Sequence, residues 1–287
     1  MVLETLISPR LAEQKPLWMF ILGILYASIA VFLALWIFKD QASLIVVFLT
    51  VLACVPLIYR TIRYEEKRDT ELKDEISRLK HHKRALSYFL YLFMGFVVAF
   101  SAWFIFLPAH IVQNLFSAQM LTINLINNQV TANSVTTFAT SFGLMGNIIL
   151  NNLKVLFFCI FFAFFYGAGA IFILTWNASV ISAAVGTFVR SNLEKYAAQI
   201  GFVKIAAYFH VFSIALLRYM THGIFEILAY FIGGLAGGLI SVAVIRHEPG
   251  DPNFKKVIFD ALDLFVLAII TILIAGVIEV YITPLMF

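Results

Sequence analysis

The stretch Thr221-His222-Gly223-Ile224-Phe225-Glu226 heads a long, glycine-rich apolar run. An imidazole and a carboxylate four residues apart share one face of a helix. Arg218, four residues earlier, extends the same stripe. Such a set can bind a cation, relay a proton or pair internally. Histidine and carboxylate suit zinc or another divalent metal, which makes His222 and Glu226 candidate ligands and a divalent metal the candidate cofactor. The pattern is not His-Glu-x-x-His, and no second histidine falls at that spacing. Because the flanking residues are apolar, the stripe is placed inside a membrane, where each ionisable group needs a partner.

The elements that position these groups follow from composition. Of 287 residues, 62% are hydrophobic and 13% are charged. No soluble surface can be built from this chain, and its apolar runs are too long for core helices. The expected fold is all-α, a multi-pass transmembrane helix bundle of about six full spans plus one short or re-entrant helix. Cys54 and Cys159 lie far apart in apolar runs, without disulfide or metal spacing. The first apolar run is long enough to span and lacks a small-residue cleavage site, so it reads as a span and not a signal peptide.

Three regions are expected. Residues 1–59 form a transmembrane hairpin, with spans Leu17 to Phe38 and Ser43 to Tyr59 joined at Lys39-Asp40. Residues 60–86 form a charged helix carrying nine of the 20 Lys and Arg residues, with signs that alternate as in a solvated helix. Residues 87–287 form the main membrane domain. It opens with a span closed by Pro108, and an interfacial helix is expected over Ala109 to Ile126. Lys154 to Thr175 is a further span. Trp176-Asn177 is read as a break, followed by a re-entrant half-helix over Ala178 to Val189. Gly201 to Arg218 and His222 to Ile245 are read as separate segments, and Val257 to Ile282 as the last span.

Charge sets the orientation. The basic connector should stay cytoplasmic, along with the N-terminus, and the uncharged segment beyond Pro108 should be translocated. Arg190 then returns to the inside. His222, Glu226, Arg218 and Glu279 fall in one outer layer with Lys154, Asn151 and Asn152. Asn177, at the break, completes the candidate polar set. Either these groups close on one another, or they line a site.

Two glycine clusters remain. Gly233-Gly234-Leu235-Ala236-Gly237-Gly238 contains two overlapping Gly-x-x-x-Gly spacings, which let helices approach closely. Its partner is either the Gly167-Ala168-Gly169 helix within the monomer or a second copy of the chain, as a homodimer. Asp260 and Asp263 are expected to complement the start of the last span.

Four landmarks occur in order over residues 85 to 287. They are Asn151-Asn152 before a span ending Gly167-Ala168-Gly169; Trp176-Asn177 with Gly186 beyond; His222-Gly223-Ile224-Phe225-Glu226; and Ile278-Glu279-Val280-Tyr281-Ile282-Thr283-Pro284. In these the chain resembles the stage II sporulation protein M family of multi-pass membrane proteins. The family histidine usually follows a proline, and Thr221 departs from that. The N-terminal hairpin lies outside the resemblance. In spore-forming bacteria the resemblance implies a scaffold that recruits peptidoglycan-degrading partners, while similar proteins occur where neither spores nor peptidoglycan are made. A membrane or extracytoplasmic protein partner, the lipid bilayer and a homo-oligomer are the partners it implies. A transporter or channel, with a broken helix at its centre, is the alternative. A metal-dependent intramembrane hydrolase with Glu226 as base is a third. Nothing suggests nucleic-acid binding, because acids nearly balance the basic connector.

Overall fold

The computed structural model describes residues 16–71, 75–125, 141–166, 170–193, 202–246, 248 and 250–286, and every regular element among them is helical. The helices are α1 Pro16–Ile37, α2 Ala42–Glu71, α3 Glu75–Phe106, α4 Ala109–Leu115, α5 Ser141–Tyr166, α6 Ala170–Leu193, α7 Phe202–Arg246 and α8 Pro252–Val277. A π-helical turn, Ile278–Ile282, extends α8 into a last short helix, α9 Thr283–Met286. Seven of them are long and apolar enough to cross a membrane, namely α1, α2, α3, α5, α6, α7 and α8. The chain is thus a multi-pass transmembrane helix bundle. Large apolar side chains such as Trp18, Phe32 and Phe157 face outward, as expected where lipid is the solvent.

α7 occupies the centre. It packs against α5, α6 and α8 and also touches α2 and α3, while α1 packs on α3 and α2. Close approach of backbones makes this possible. α1 and α3 cross at Gly23 and Gly95, where a Cβ on Gly23 would reach the Gly95 Cα at 3.1 Å and fall on the Leu92 carbonyl oxygen. In α7, a Cβ on Gly237 would meet the Ile160 carbonyl oxygen of α5 at 2.5 Å, and one on Gly234 would meet the Ala170 Cβ at 2.8 Å. Gly233 is closed by Leu156, and all residues from Ala229 to Leu239, Gly238 included, are buried. The glycine run is therefore occupied by packing within the monomer, the first of the two uses expected of it. Gly167 and Gly169 lie outside the described residues.

The structure revises four local expectations. First, Trp176-Asn177 does not interrupt α6. The Asn177 amide donates to the Ile173 carbonyl of its own helix at 2.9 Å, so it needs no partner elsewhere. Ser182 donates to Val97 of α3 at 3.0 Å, the Phe104 ring fills the space over Gly186, and Arg190 donates to the carbonyls of Ile105 (3.3 Å) and Leu107. Three successive turns thus run parallel to α3. In place of a re-entrant half-helix, α6 is a full crossing, and Arg190 ends up beside Leu107, away from the charged connector.

Second, the separate segments Gly201 to Arg218 and His222 to Ile245 are one helix of 45 residues. Nothing between them breaks a helix, and Thr221 stays in register by donating to the Leu217 carbonyl at 2.6 Å. At about 1.5 Å per residue α7 is roughly 67 Å long. A hydrocarbon core of about 30 Å cannot hold such a helix upright, so α7 must tilt or extend past it. The first two corrections cancel in direction. One extra crossing at α6 and one fewer at α7 leave Glu226 and α8 running the way the sequence suggested.

Third, residues 60–86 are not a separate helix. α2 continues through Pro56 to Glu71, and α3 begins at Glu75, so the charged segment forms the extended arms of a hairpin. Glu65 and Glu66 are buried rather than solvated, at 0% and 2% exposure. Glu65 pairs with His82 of α3 at 2.8 Å, and Arg246 at the end of α7 donates to Glu66 at 2.8 Å. Fourth, the interfacial helix becomes α4 and a helical stretch over residues 117–125. Val112, Leu115 and Phe116 are buried, and Gln119 donates to the Ser43 carbonyl (3.0 Å) and the Ser179 hydroxyl (3.1 Å). It closes one end of the bundle. In α8, Asp251 caps the helix by accepting from the Asn253 N–H at 2.8 Å, a role expected of Asp260 or Asp263.

Two measurements check this packing. Ser191→Cys at the end of α6 and Lys83→Cys near the start of α3 should react with a membrane-impermeant maleimide from opposite sides of the membrane. Cys54 and Cys159 are buried and should contribute little background. Labelling from the same side would restore the re-entrant half-helix. Separately, Gly95→Val should lower the unfolding temperature strongly, by the equivalent of about 3 kcal/mol or more, because backbone faces the added atoms. Gly143→Ala has open space around it and should change stability by about 1 kcal/mol or less.

Candidate functional site

α5 brings Asn152, α7 brings His222, Glu226 and Tyr230, and the π-turn after α8 brings Glu279, with Thr283 directly beyond it. Within α5, Asn152, Leu156 and Ile160 follow one another at four-residue spacing on the face that meets α7. Since Leu156 and Ile160 pack on Gly233 and Gly237, Asn152 is directed at the next turn of α7. It donates from Nδ2 to Glu226 Oε1 at 2.5 Å. Its Oδ1 accepts from the Tyr230 hydroxyl at 3.0 Å. One amide is therefore used at both ends by two residues of the same helix face.

The Glu279 carboxyl lies beside the Glu226 carboxyl. Next to them, His222 Nδ1 lies 3.3 Å from the Thr283 hydroxyl, which can donate to the Ile278 carbonyl at 3.2 Å. Pro284 explains the wide turn. It has no N–H, and its ring crowds the carbonyl four residues back, so the helix loosens to π geometry over Ile278–Ile282. That loosening sets the positions from which Glu279 and Thr283 face α7.

Of the residues selected from sequence, Asn152, His222, Glu226 and Glu279 come together. Arg218 does not join them. It is exposed, and its guanidinium lies over the Phe188 ring of α6, 5.8 Å from the centroid. Lys154 and Asn151 are exposed on another face of α5, and Asn177 bonds within α6. In place of Arg218 and Lys154, an asparagine and a tyrosine surround the Glu226 carboxyl. Tyr230 escaped notice, although Glu226-x-x-x-Tyr230 continues the same four-residue stripe. Among the described residues no group of three or more His, Cys, Asp or Glu is placed to hold a metal ion.

Chemically, the cluster can hold a proton and lock three helices in register. A helix bundle with an acid pair tied across α5, α7 and the end of α8 defines an integral membrane protein with an internal polar joint. A model of the family described as stage II sporulation protein M matches residues 87–284, and the chain belongs to that family. An uncharacterized protein of Methanocaldococcus jannaschii is 29% identical over 141 residues, covering 48% of this chain and 70% of that relative. No solved structure matches the chain.

Asn152→Leu should destabilise the protein by about 2–3 kcal/mol, because it strips a buried carboxyl and a buried hydroxyl of their partner at once. Tyr230→Phe should cost about 1 kcal/mol. Asn151→Leu, on the exposed face, should be nearly neutral. Thermal unfolding in detergent measures all three, and equal effects at positions 151 and 152 would contradict the geometry.

Proposed function

We propose that this chain is a membrane scaffold or membrane-organising protein. The observation that carries the reading is that Glu226 is engaged from within the protein, by an Asn152 amide that Tyr230 holds in turn. Groups built to bind a solute would keep donors and acceptors in reserve. Membership of the stage II sporulation protein M family, for which the resemblance implies a scaffold, favours the same reading. Partners would meet the lateral faces, such as the aromatic stripe of Phe157, Phe158, Phe161 and Phe162 on α5, because the glycine run is already occupied. A homo-oligomer through those faces fits the reading. The charged hairpin faces the cytoplasm in this proposal, in keeping with its nine basic residues. An outward-facing protein partner would then meet the end that carries Leu107 and Arg190.

The test uses cells and liposomes together. In-cell cross-linking of the full chain should recover a discrete membrane partner or a second copy, and recovery should survive Glu226→Gln. Purified protein in liposomes should pass neither protons nor small ions above protein-free controls. Flux that Glu226→Gln abolishes would replace the scaffold with a transporter or channel. A metal retained on purification and lost in His222→Ala would favour the hydrolase.

A further inference from the structure

The charged hairpin sorts its side chains by sign. Contacts of Tyr88 with Thr61 (2.5 Å) and of His82 with Glu65 (2.8 Å) fix the register of its two arms. That register sets Tyr59 of α2 roughly level with Tyr91 of α3, and Arg63 roughly level with Arg84. Both tyrosines are exposed, at 45% and 40%, close to where the two spans end. Arg63, one turn beyond Tyr59, places its guanidinium over that ring, 5.6 Å from the centroid. Lys83 and Arg84 are exposed, about two turns beyond Tyr91. Aromatic rings at the edge of the hydrocarbon, with cations just past them, are the order of groups found where a span meets lipid headgroups.

No exposed acid offsets these cations on the described parts of the arms. Over residues 60–67 and 82–91 the acids are Glu65 and Glu66, both buried and engaged by His82 and Arg246. In the tip between the arms, residues 68–81, four Asp and Glu balance four Lys and Arg in the sequence. The α7–α8 connection at the same end carries Glu248 and Asp251 alongside Lys255 and Lys256, and so adds no net charge. The geometry also disfavours docking from one side. Glu65 and His82 face each other. At about 100° per residue, Arg63 and Arg84, each two positions away, turn to the outer sides of the two arms. A protein or nucleic acid resting on one side would meet one of them, whereas a leaflet surrounds the hairpin and meets both. We propose that the arms of the hairpin form a collar for anionic phospholipid headgroups, with phosphates on Arg63, Lys83 and Arg84 and with Tyr59 and Tyr91 at the acyl boundary.

The full chain in a nonionic detergent is mixed with equal amounts of a phosphatidylglycerol and a phosphatidylcholine of matched chains. Retained lipid is then read by native mass spectrometry. Phosphatidylglycerol should be preferred by about fivefold or more, the scale of one basic side chain at an anionic surface. The triple variant Arg63→Gln, Lys83→Gln, Arg84→Gln should lose the preference. Lys255→Gln, the same charge change on the balanced α7–α8 connection, should keep it. Phosphatidylglycerol should also raise the unfolding temperature of the unmodified chain and not that of the triple variant. If the triple variant fails to fold, Lys83→Gln and Arg84→Gln singly should each lower the preference. Equal retention of the two lipids by the unmodified chain, no retained lipid, or a preference unchanged in the folded triple variant or in both single variants would each overturn the proposal. So would an equal loss in Lys255→Gln, or an acidic protein or RNA that co-purifies through the three cations in place of any lipid preference.

Discussion

The register between α5 and α7 fixes everything around the polar joint. It is set by apolar contacts, at Leu156 on Gly233 and at Ile160 on Gly237, where a missing Cβ admits a side chain and then a backbone. One turn further along the same face, Asn152 has nowhere to point except toward Tyr230 and Glu226. Without that close approach, the amide would be stranded between helices and the carboxyl would lose a donor. Burying an acid in a membrane is costly, so the glycines that look like packing devices also make the acid tolerable. The polar groups in turn discourage sliding, because a slip by one residue would separate them.

Most of the bundle was legible because the bilayer imposes length and apolarity on each span. What the sequence hid was phase and parity. Arg218, His222, Glu226 and Tyr230 look like one stripe, but four residues overshoot a turn by about 40°, so Arg218 has rotated by about 120° from Tyr230. It ends over Phe188 instead of the acids. Asn151 and Asn152 are neighbours in sequence and about 100° apart on the helix, so only one can face α7. The phase of Leu156 and Ile160 could have chosen between them. Trp176-Asn177 misled because asparagine is read as a breaker, whereas here its amide folds back on its own helix, as polar side chains in apolar surroundings often do. The unbroken α7 was hidden for the opposite reason: a polar stretch at Arg218 to His222 suggested an exit from the membrane, yet no proline or turn residue lay there to produce one.

The charged hairpin carries a similar lesson. Alternating signs suggested a solvated helix, yet Glu65 and Glu66 are among its most buried residues. Adjacent positions on α2 face about 100° apart, which allows one acid to meet α3 through His82 and the other to meet the last turn of α7 through Arg246. The hairpin is thereby clamped to the opposite end of the helix that carries the polar joint. Buried ion pairs contribute little net stability, but breaking one strands a charge. Their effect here is to specify one docking of the N-terminal hairpin on the family domain, which composition alone could not convey. The same segment also explains why Pro56 is harmless: α2 is held from both sides beyond it.

The π-turn joins these strands of the argument. Helix ends need polar satisfaction, and a proline near the end of a span would ordinarily terminate the helix. Here Pro284 follows Thr283, whose hydroxyl can donate to the Ile278 carbonyl five residues back, as the wider turn requires. The same hydroxyl lies beside His222, and Glu279, in the same turn, lies beside Glu226. A Glu-x-x-x-Thr-Pro ending is thus one mechanical unit. Proline loosens the helix, the threonine hydroxyl adds a second donor to the Ile278 carbonyl that the Thr283 N–H already reaches, and glutamate is placed beside the neighbouring acid. Replacing the proline by a good helix former would tighten the turn by one residue and rotate Glu279 off α7, so the polar joint depends on a helix defect as much as on the groups that compose it.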